Sequence, residues 1–497
     1  MTMPPNPIQE KNIETLSTIN NTLKPKKIIQ KINDLKIQII FPKELISNKN
    51  AVNCCYMLLN ILPRFLKNVS YNGPDMIIKK FPKSHHEKIS IDQIQNPTLT
   101  IVLGTKKYDN GKNILYIGSA GWSIYASTIK PCHWSSSSDN SLSAFYLAGI
   151  ITGEIFKYLL PSIPTDKIPS HFEYDLITYG SESQPVLEPQ IPSMINLDNF
   201  AIVGCGAIGQ AFALALQFAT NITGKIILID PDNVDLSNIQ RYVYSFVENI
   251  NEPKTNILAK LLSKDNPTLN PIPITLSYEL VNITGTSFKE VVTAVDNIET
   301  RLNVQAGLPK TIWNAWTDTS NNTLRYGVGH HIMNGKYQCL ACSYYPKSNS
   351  PSESKLHSMM TGISEIRINQ NANVNEEDII QIEKHTKIKQ DNLRQHIGKP
   401  IDILLHGPCG MYTLPINVPH EPTPAPHTPF LAGVFLATQI ILSRIASLPD
   451  KFKLLESSAE FSALHIPNQD CILKHKKNEN CFCNDNIYRN VYDKKWN

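Results

Sequence analysis

The chain has 497 residues, 41% of them hydrophobic, and its 47 lysines and arginines against 43 aspartates and glutamates give a net charge of +4. This length predicts two or three domains rather than one. The charges form no dense basic stripe interleaved with aromatic residues, so the composition argues against a partner that is a nucleic acid.

The sequence also argues against export and membrane insertion. Residues 1–11 contain no apolar run of the kind found in secretory signals. The apolar segment 430–446 includes Thr438, Gln439 and Arg444, which favours a buried helix over a membrane span. Ten cysteines, several in close pairs, are typical of metal or catalytic thiols in a reducing compartment. We therefore expect a cytoplasmic protein with no membrane partner.

The first third of the chain predicts an α/β domain without a nucleotide site. Residues 1–35 are polar, and we expect a loose segment there. Residues 36–182 alternate predicted strands with helices and contain no complete glycine fingerprint, so we expect a catalytically inactive domain. A linker is predicted at 183–195, where prolines recur without apolar periodicity. The predicted elements of this domain are strands at 37–41, 98–103 and 113–117 and a helix at 142–160.

A glycine loop opens the second domain, which we place at 196–497. An apolar strand at 199–203 is followed by Gly204-Cys205-Gly206-Ala207-Ile208-Gly209 and an apolar helix at 210–220. Gly204 permits a tight turn, Gly206 lets backbone N–H groups approach a phosphate, and Gly209 lets the helix lie close to the strand. The helix N-terminus then offers unpaired N–H groups to an anion.

Acidic residues follow two later strands of this domain. Asp230 ends the predicted strand 225–230, and Asp296 follows the predicted strand 291–295; a further strand is expected at 273–280. Strands that alternate with helices predict a parallel, doubly wound, Rossmann-like sheet. Ligands bind at the carboxyl ends of such strands, where both acids fall. A carboxylate in the position of Asp230 accepts hydrogen bonds from ribose hydroxyls.

Four motifs in order resemble one family. The glycine loop is followed by Asp-x-Asp-x-Val-x-x-Ser-Asn-x-x-Arg at 230–241, by Pro253-Lys254, and by Asp296-Asn297-x-x-x-Arg301. This series resembles the adenylating domain of ubiquitin-activating enzymes and of the ThiF–MoeB enzymes that adenylate sulfur carriers in thiamine and molybdopterin synthesis. The resemblance covers about 196–345 and resumes near 405–446. It implies ATP binding and adenylation of a protein C-terminal carboxylate, with pyrophosphate as the leaving group.

The resemblance also implies roles for individual residues. Arg241 and Lys254 supply positive charge to the triphosphate and the leaving pyrophosphate, Asn238 is a neutral donor, and Asp296 holds Mg²⁺. Some family members receive an arginine from a neighbouring subunit, for which this sequence offers no candidate. The complete set of expected nucleotide contacts is Gly204, Gly206, Gly209, Asp230, Asp232, Asn238, Arg241, Lys254, Asp296 and Asn297.

Two cysteine pairs predict a structural zinc site. Cys339-Leu-Ala-Cys342 and Cys481-Phe-Cys483 together offer four thiolates, which suit tetrahedral Zn²⁺. Family members commonly carry two Cys-x-x-Cys pairs at these places. Because the second pair here is Cys-x-Cys, Cys471 or His475 is an alternative ligand. The zinc-binding tail is expected at 470–485.

Cys409 is the candidate thioester cysteine. It stands alone in Leu405-His-Gly-Pro-Cys409-Gly410, inside a polar insertion predicted at about 346–428. In activating enzymes the thioester-forming cysteine lies between the adenylation core and the return to it. The alternative interpretation of Cys409 is a small buried hydrophobe. Segments at 121–122 and 153–157 resemble the inactive N-terminal half of bacterial activating enzymes from ubiquitin-like antiphage operons.

The hypothesis is therefore an activating enzyme for a ubiquitin-like protein, acting in bacterial antiviral defence. ATP, Mg²⁺ and structural Zn²⁺ are its expected cofactors. Its expected partners are a ubiquitin-like protein with a C-terminal glycine, a conjugating enzyme and a second copy of the chain. Three alternatives stay open: a sulfur-carrier adenylyltransferase without thioester transfer, a non-catalytic nucleotide-binding scaffold, and a nicotinamide oxidoreductase.

Overall fold

The chain folds into two compact units in the computed structural model, one of residues 1–344 and 422–497 and one of residues 345–421. The second unit corresponds in sequence to the insertion expected at about 346–428. The structure describes residues 6–20, 23–91, 94–108, 113–135, 140–160, 170–179, 187–283, 285, 287–319, 323–344, 353–386, 389–406, 423–465 and 471–496.

The first residues of the chain form two helices, α1 (Pro7–Ile19) and α2 (Pro25–Asp34). The expectation of a loose segment over 1–35 is therefore wrong for the residues described. A capping box between Asn6 and Gln9 starts α1. Its buried face includes the polar side chains Asn12 and Thr15, which hydrogen-bond to other parts of the protein. The sequence did not indicate this buried face, because polar residues interrupt the apolar periodicity of α1.

Two mixed sheets make up the first unit, and their strands are named β1 to β16 in chain order. The strands of the first sheet are β1 (Lys36–Ile40), β2 (Asn68–Asn72), β3 (Ile89–Ser90), β4 (Leu99–Val102), β5 (Ile114–Ala120), β6 (Ser123–Ser127) and β7 (His171–Asp175). The strands of the second sheet are β8 (Met194–Asn196), β9 (Phe200–Val203), β10 (Asn221–Ile229), β11 (Leu269–Ile274), β12 (Glu290–Thr293), β13 (Thr311–Asp318), β14 (Arg325–His331), β15 (Ser458–Ser462) and β16 (Ile472–Leu473).

The remaining helices are named in chain order, and α12 to α16 belong to the second unit. They are α3 (Lys49–Ile61), α4 (Asp75–Ile78), α5 (Lys83–His86), α6 (Ser141–Phe156), α7 (Ala207–Ala219), α8 (Lys254–Ser263), α9 (Tyr278–Ile283), α10 (Ile298–Ala306), α11 (Leu340–Tyr344), α12 (Glu353–Thr361), α13 (Glu365–Asn369), α14 (Glu376–Thr386), α15 (Gln390–Leu393), α16 (Ile401–His406), α17 (His427–Arg444) and α18 (Asn486–Trp496).

The two sheets share one topology. The first has the order β3-β2-β1-β4-β5-β6-β7, and the second runs β11-β10-β9-β12-β13-β14-β15, with β16 beyond β15 and β8 paired to β10. In each sheet the first five of these strands pair in parallel and the next two are antiparallel. The predicted α/β, Rossmann-like fold is confirmed, and the N-terminal half repeats its strand order without the glycine loop.

Buried helices join the two halves inside the first unit. Gly149 of α6 lies against Leu431 of α17, and Gly433 of α17 lies against Ala211 of α7, so close that a Cβ on either glycine would clash. Among the described residues, the stretch Ser141–Leu159 is long and apolar enough to span a membrane, but 89% of it is buried inside the protein. It is therefore placed as a core helix.

One predicted strand is displaced. The strand expected at 273–280 is β11, which ends at Ile274, and the chain then turns into α9. Pro271 and Pro273 lie in β11, which among the described strands pairs with β10 alone, at the edge of the sheet. Proline has no N–H to donate to a neighbouring strand, and an edge strand tolerates this because one of its sides has no partner strand.

The second unit has a small core of its own. Its helices bury Ile363, Ile379, Ile382 and Leu404 together. Arg367 makes a two-pronged contact with Asp378, at 3.0 Å from Nε to Oδ1 and 2.8 Å from Nη2 to Oδ2. Helix α14 of this unit is followed by α15, which continues directly into the 3₁₀ turn Arg394–His396.

Candidate functional site

The glycine loop lies between β9 and the N-terminus of α7. Gly204 has a φ of +96°, and a Cβ there would stand 2.5 Å from the carbonyl oxygen of Ala294, just beyond β12. A Cβ on Gly209 would collide with the carbonyl oxygen of Gly204. Both positions therefore require glycine, because backbone atoms approach them closely. This agrees with the tight turn predicted at Gly204 and the close approach of the helix predicted at Gly209.

Gly206 has a different neighbour from the one expected. A Cβ on this residue would lie 2.9 Å from the hydroxyl oxygen of Tyr242. The side chain of Tyr242 is buried at 4% exposure and stands beside the loop at the start of α7. Tyr242 immediately follows the Ser-Asn-x-x-Arg motif, and nothing in the spacing of the motif indicated that it reaches the loop.

Asp230 is hydrogen-bonded to the glycine loop. One carboxylate oxygen accepts a 2.7 Å hydrogen bond from the N–H of Cys205, and the other accepts a 3.0 Å bond from the N–H of Asp232. Burial raises the pKa of Asp230, an effect that Lys254 and these two N–H groups oppose. The side chain of Asp232 is 64% exposed by contrast. Of the two acids expected to face the nucleotide, Asp232 is the accessible one.

Lys254 is a buried cation at the start of α8. Its Nζ lies 2.7 Å from Asp232 Oδ2 and 3.9 Å from Asp230 Oδ1, and 5.8 Å from the centre of the Tyr242 ring. Burial alone would lower the pKa of Lys254, but the nearby Tyr242, Asp230 and Asp232 outweigh it and raise this pKa above its usual range. The lysine is therefore charged at neutral pH and points toward the loop.

Asn238 and Arg241 lie on a 3₁₀ turn, Leu236–Gln240 and its following residue. Asn238 Oδ1 accepts a 3.0 Å bond from the N–H of Asp235. The guanidinium of Arg241 lies 5.6 Å from the Tyr242 ring, and its Nη1 is buried without a hydrogen-bond partner in the described part of the chain. Buried donors are normally paired, so this nitrogen fits a group that binds there.

The loop beyond β12 carries Asp296 and Asn297. Asp296 is exposed, and Asn297 starts α10 by accepting a 2.7 Å bond from the N–H of Thr300. Because β12 pairs with β9, this loop lies next to the glycine loop. Arg301 is buried and donates to Asn314 Oδ1 and to the carbonyl of Val295, so it holds the loop against β13.

The four predicted zinc ligands converge. The Sγ–Sγ distances are 3.7 Å for Cys339–Cys342, 3.6 Å for Cys339–Cys481 and 3.5 Å for Cys342–Cys483, and all four sulfurs lie within 4.8 Å of one another. Tetrahedral zinc with bonds of about 2.3 Å separates its sulfurs by about 3.8 Å, whereas a disulfide joins them at about 2.05 Å. The cluster therefore suits one metal ion.

The alternative ligands are not part of this cluster. Cys471 packs at the large core, beside Tyr146 and Tyr174. His475 contributes its backbone carbonyl to the N–H of Gln338, at 3.1 Å. Cys-x-Cys is sufficient here because a one-residue spacer at the 3₁₀ turn Phe482–Asn484 already brings both sulfurs to the first pair. Cys409 lies outside the described residues.

Comparison with known proteins shows the family to which the chain belongs. The family model described as the ThiF family matches residues 193–483. The chain is 24% identical over 463 residues to the uncharacterized protein y4jF of Sinorhizobium fredii (strain NBRC 101917 / NGR234), covering 89% of this chain and 85% of that protein. It is 32% identical over 112 residues to the sulfur carrier protein ThiS adenylyltransferase of Escherichia coli, covering 21% of this chain and 42% of that protein.

Two further similarities are more distant. The chain is 29% identical over 157 residues to ubiquitin-activating enzyme E1 1 of Triticum aestivum, covering 29% of this chain and 14% of that protein. The crystal structure of E. coli MccB with ATP is similar with a TM-score of 0.35 and 16% identity, covering 57% of this chain and 67% of that one. The match spans less than half the length of the ThiS adenylyltransferase and of the ubiquitin-activating enzyme. The family match itself extends over more than half of the chain, and the protein belongs to the ThiF family.

Proposed function

We propose that this protein is an ATP-dependent adenylyltransferase that activates the C-terminal carboxylate of a ubiquitin-like protein. The observation that carries the proposal is the grouping of Lys254, the unpartnered Nη1 of Arg241 and the N-terminus of α7 around one glycine loop. Membership of the ThiF family supports adenylyl transfer, and two relatives are named for acting on a sulfur carrier and as a ubiquitin-activating enzyme.

The residues divide the work of the reaction. A carboxylate oxygen of the modifier attacks the α-phosphorus of ATP, a new P–O bond forms, and the bond to the β-phosphate oxygen breaks to release pyrophosphate. Arg241 and Lys254 offset the charge that develops on the leaving group, and the N–H groups at the start of α7 bind phosphate oxygens. The exposed Asp232 is the proposed acceptor for the ribose hydroxyls, because the oxygens of Asp230 already bind the loop.

The proposed magnesium ligand is Asp296. Its carboxylate is exposed next to the glycine loop, and carboxylate oxygen is a ligand type that suits this ion. Mg²⁺, when bound, neutralises phosphate charge. The four-cysteine cluster is proposed to hold a structural Zn²⁺ that ties the C-terminal tail to the segment after β14.

The second proposed step is transfer of the acyl group to Cys409. Its thiolate attacks the acyl carbon of the adenylate, a thioester forms, and AMP leaves. The proposed partners are a ubiquitin-like protein with a C-terminal glycine, a conjugating enzyme and a second copy of the chain, in the cytoplasm of a bacterium defending itself against viruses. Similarity to the ThiS adenylyltransferase favours a second candidate, a sulfur-carrier adenylyltransferase that stops at the adenylate.

Exchange of labelled pyrophosphate into ATP tests the first step. The purified chain and Mg²⁺, mixed with candidate ubiquitin-like proteins that end in glycine, should exchange label with one of them, and Arg241→Ala and Lys254→Ala should each lower the rate by about 100-fold or more. Cys409→Ala should keep the exchange and lose a thioester that dithiothreitol cleaves. Exchange by wild type without any thioester favours the sulfur-carrier enzyme. ATP binding without exchange, with every carrier tried, refutes the adenylyltransferase.

A further inference from the structure

Arg64 is a fully buried cation in the N-terminal half. It lies in a 3₁₀ turn after α3 and is 2% exposed. Its Nε and Nη2 bond to Asn60 on the preceding helix turn. Its Nη1 crosses to the other half of the unit and donates to the carbonyls of Ile239, at 2.5 Å, and Ser245, at 3.3 Å.

These two carbonyls lie on either side of Arg241 along the chain. The same stretch of chain receives a further bond from the N-terminal half, because Asn60 Nδ2 donates to the carbonyl of Val243 at 2.8 Å. Three backbone carbonyls between 239 and 245 are therefore held by two side chains from outside the adenylating half. The guanidinium also faces the ring of Phe246, at 5.3 Å.

Helix α1 contacts both Arg64 and the turn that carries Arg241. Asn12 Nδ2 donates to the carbonyl of Arg64 at 3.0 Å, and Gln240 Nε2 donates to Asn12 Oδ1 at 3.0 Å. Both bonds are buried. Hydrogen bonds therefore run from Arg64 through Asn12 of α1 to Gln240, the residue next to Arg241.

We propose that Arg64 and Asn60 are positioning residues that set the backbone of 239–245 and thereby hold the guanidinium of Arg241 at the nucleotide site. This inference rests on the proposed function, because it assigns Arg241 to ATP. It gives the N-terminal half, which repeats the fold without a glycine loop, a defined part in nucleotide binding.

The chemistry of Arg64 fits positioning better than plain stability. Among the described residues its hydrogen-bond partners are carbonyl and amide oxygens, and it takes part in no salt bridge there. A buried charge without a carboxylate is costly, and burial lowers the pKa of Arg64 to about 9. A planar fork of donors can reach Asn60, Ile239 and Ser245 at once, whereas lysine offers a single charged nitrogen.

Nucleotide affinity of the full chain tests the proposal. Isothermal titration with the non-hydrolysable analogue AMP-PNP and Mg²⁺ is compared for wild type, Arg64→Met, Arg64→Lys and Asn60→Ala, with the melting temperature of each. We expect the dissociation constant to rise about 10- to 100-fold for Arg64→Met, since misplacing a binding group by about 1 Å has effects of this size. Arg64→Lys should be intermediate, and Asn60→Ala should weaken binding in the same direction.

A matched control separates positioning from general loss of stability. Asn53 lies on the same helix α3, is also buried, and donates to Ser141 Oγ at 2.9 Å within the N-terminal half. Asn53→Ala should lower the melting temperature without changing affinity for AMP-PNP. A double-mutant cycle tests whether Arg64 acts through Arg241. In an Arg241→Ala background, Arg64→Met should change the affinity for AMP-PNP by less than about threefold.

The outcomes are distinguishable. If wild type binds AMP-PNP and Arg64→Lys and Asn60→Ala bind it equally well, the positioning inference is overturned and the proposed function stands. Effects of Arg64→Met and Arg241→Ala that simply add also overturn the inference. If wild type itself does not bind AMP-PNP, the proposed function fails and the inference fails with it. Where Arg64→Met does not fold, Arg64→Lys and Asn60→Ala carry the same comparison.

Discussion

Replacing Gly206 by alanine should separate two reasons for a glycine at this position. The sequence motif predicts that Gly206 makes room for a phosphate, whereas the structure places the hydroxyl oxygen of Tyr242 2.9 Å from the position of the added Cβ. The next atom of that side chain, the ring carbon that bears the hydroxyl, is at 3.4 Å, which is an ordinary contact. Removing one oxygen atom therefore removes the clash.

The expected cost follows from this geometry. Overpacking by one methyl group typically destabilises a protein by about 1–3 kcal/mol, so Gly206→Ala should lower the free energy of unfolding by about this amount. Tyr242→Phe in the same chain should recover most of that loss, which is a strongly non-additive pair. Gly204→Ala meets backbone instead, at the carbonyl of Ala294, and its φ of +96° disfavours any side chain. Tyr242→Phe should not rescue it.

Two measurements on three variants and the wild type complete the test. Urea unfolding gives the stability of Gly206→Ala, Tyr242→Phe, the double variant and wild type, and titration with AMP-PNP gives their affinities. We expect the double variant to regain stability yet bind AMP-PNP more weakly than Tyr242→Phe alone, because a methyl group still stands where the phosphate approaches. A double variant whose stability loss equals the sum of the single losses would refute the reasoning from the Tyr242 hydroxyl.

Three further predictions concern other parts of the chain. Cys481→Ser should remove bound zinc, measured by elemental analysis, whereas Cys471→Ser should retain one zinc per chain; full zinc in Cys481→Ser would contradict the four-cysteine site. Asp230→Asn should destabilise the fold because the carboxylate bridges two N–H groups. Asp232→Ala removes one ion-pair partner of Lys254 from an exposed position, so it should lower the melting temperature less than Asp230→Asn does and should weaken AMP-PNP binding; equal effects on stability would contradict this division. Burial lowers the pKa of His427 to about 3 from its usual 6.5, so the folded protein keeps it neutral while the unfolded chain takes up a proton below about pH 6.5. Stability that is present above pH 6.5 is then lost as the pH falls, by about 1.4 kcal/mol per pH unit from this group. His427→Gln should therefore make the slope of the unfolding free energy against pH shallower by that amount between about pH 6 and 4.5. An unchanged slope would contradict this.

Motif spacing predicted the local parts of the site. Strand, glycine loop and helix follow one another within about twenty residues, so Gly204, Gly209 and the start of α7 could be placed from the chain itself. The acids after β10 and β12 were likewise placed at the carboxyl edge of a parallel sheet, because neighbouring strands of such a sheet end together. The two cysteine pairs predicted a four-thiolate site by their chemistry alone.

Long-range packing decided the rest. The bond from Asp230 to the loop leaves Asp232 as the exposed acid, and the side chain of Tyr242 folds back against Gly206; both depend on how the turn packs on the sheet. Arg64 hydrogen-bonds to the turn that carries Arg241 across 175 residues of chain, a contact that no local pattern indicates. A sequence motif specifies backbone that is close along the chain. Which buried polar group meets which is set only when the two halves of the fold pack together, because each unpaired group must then find its partner.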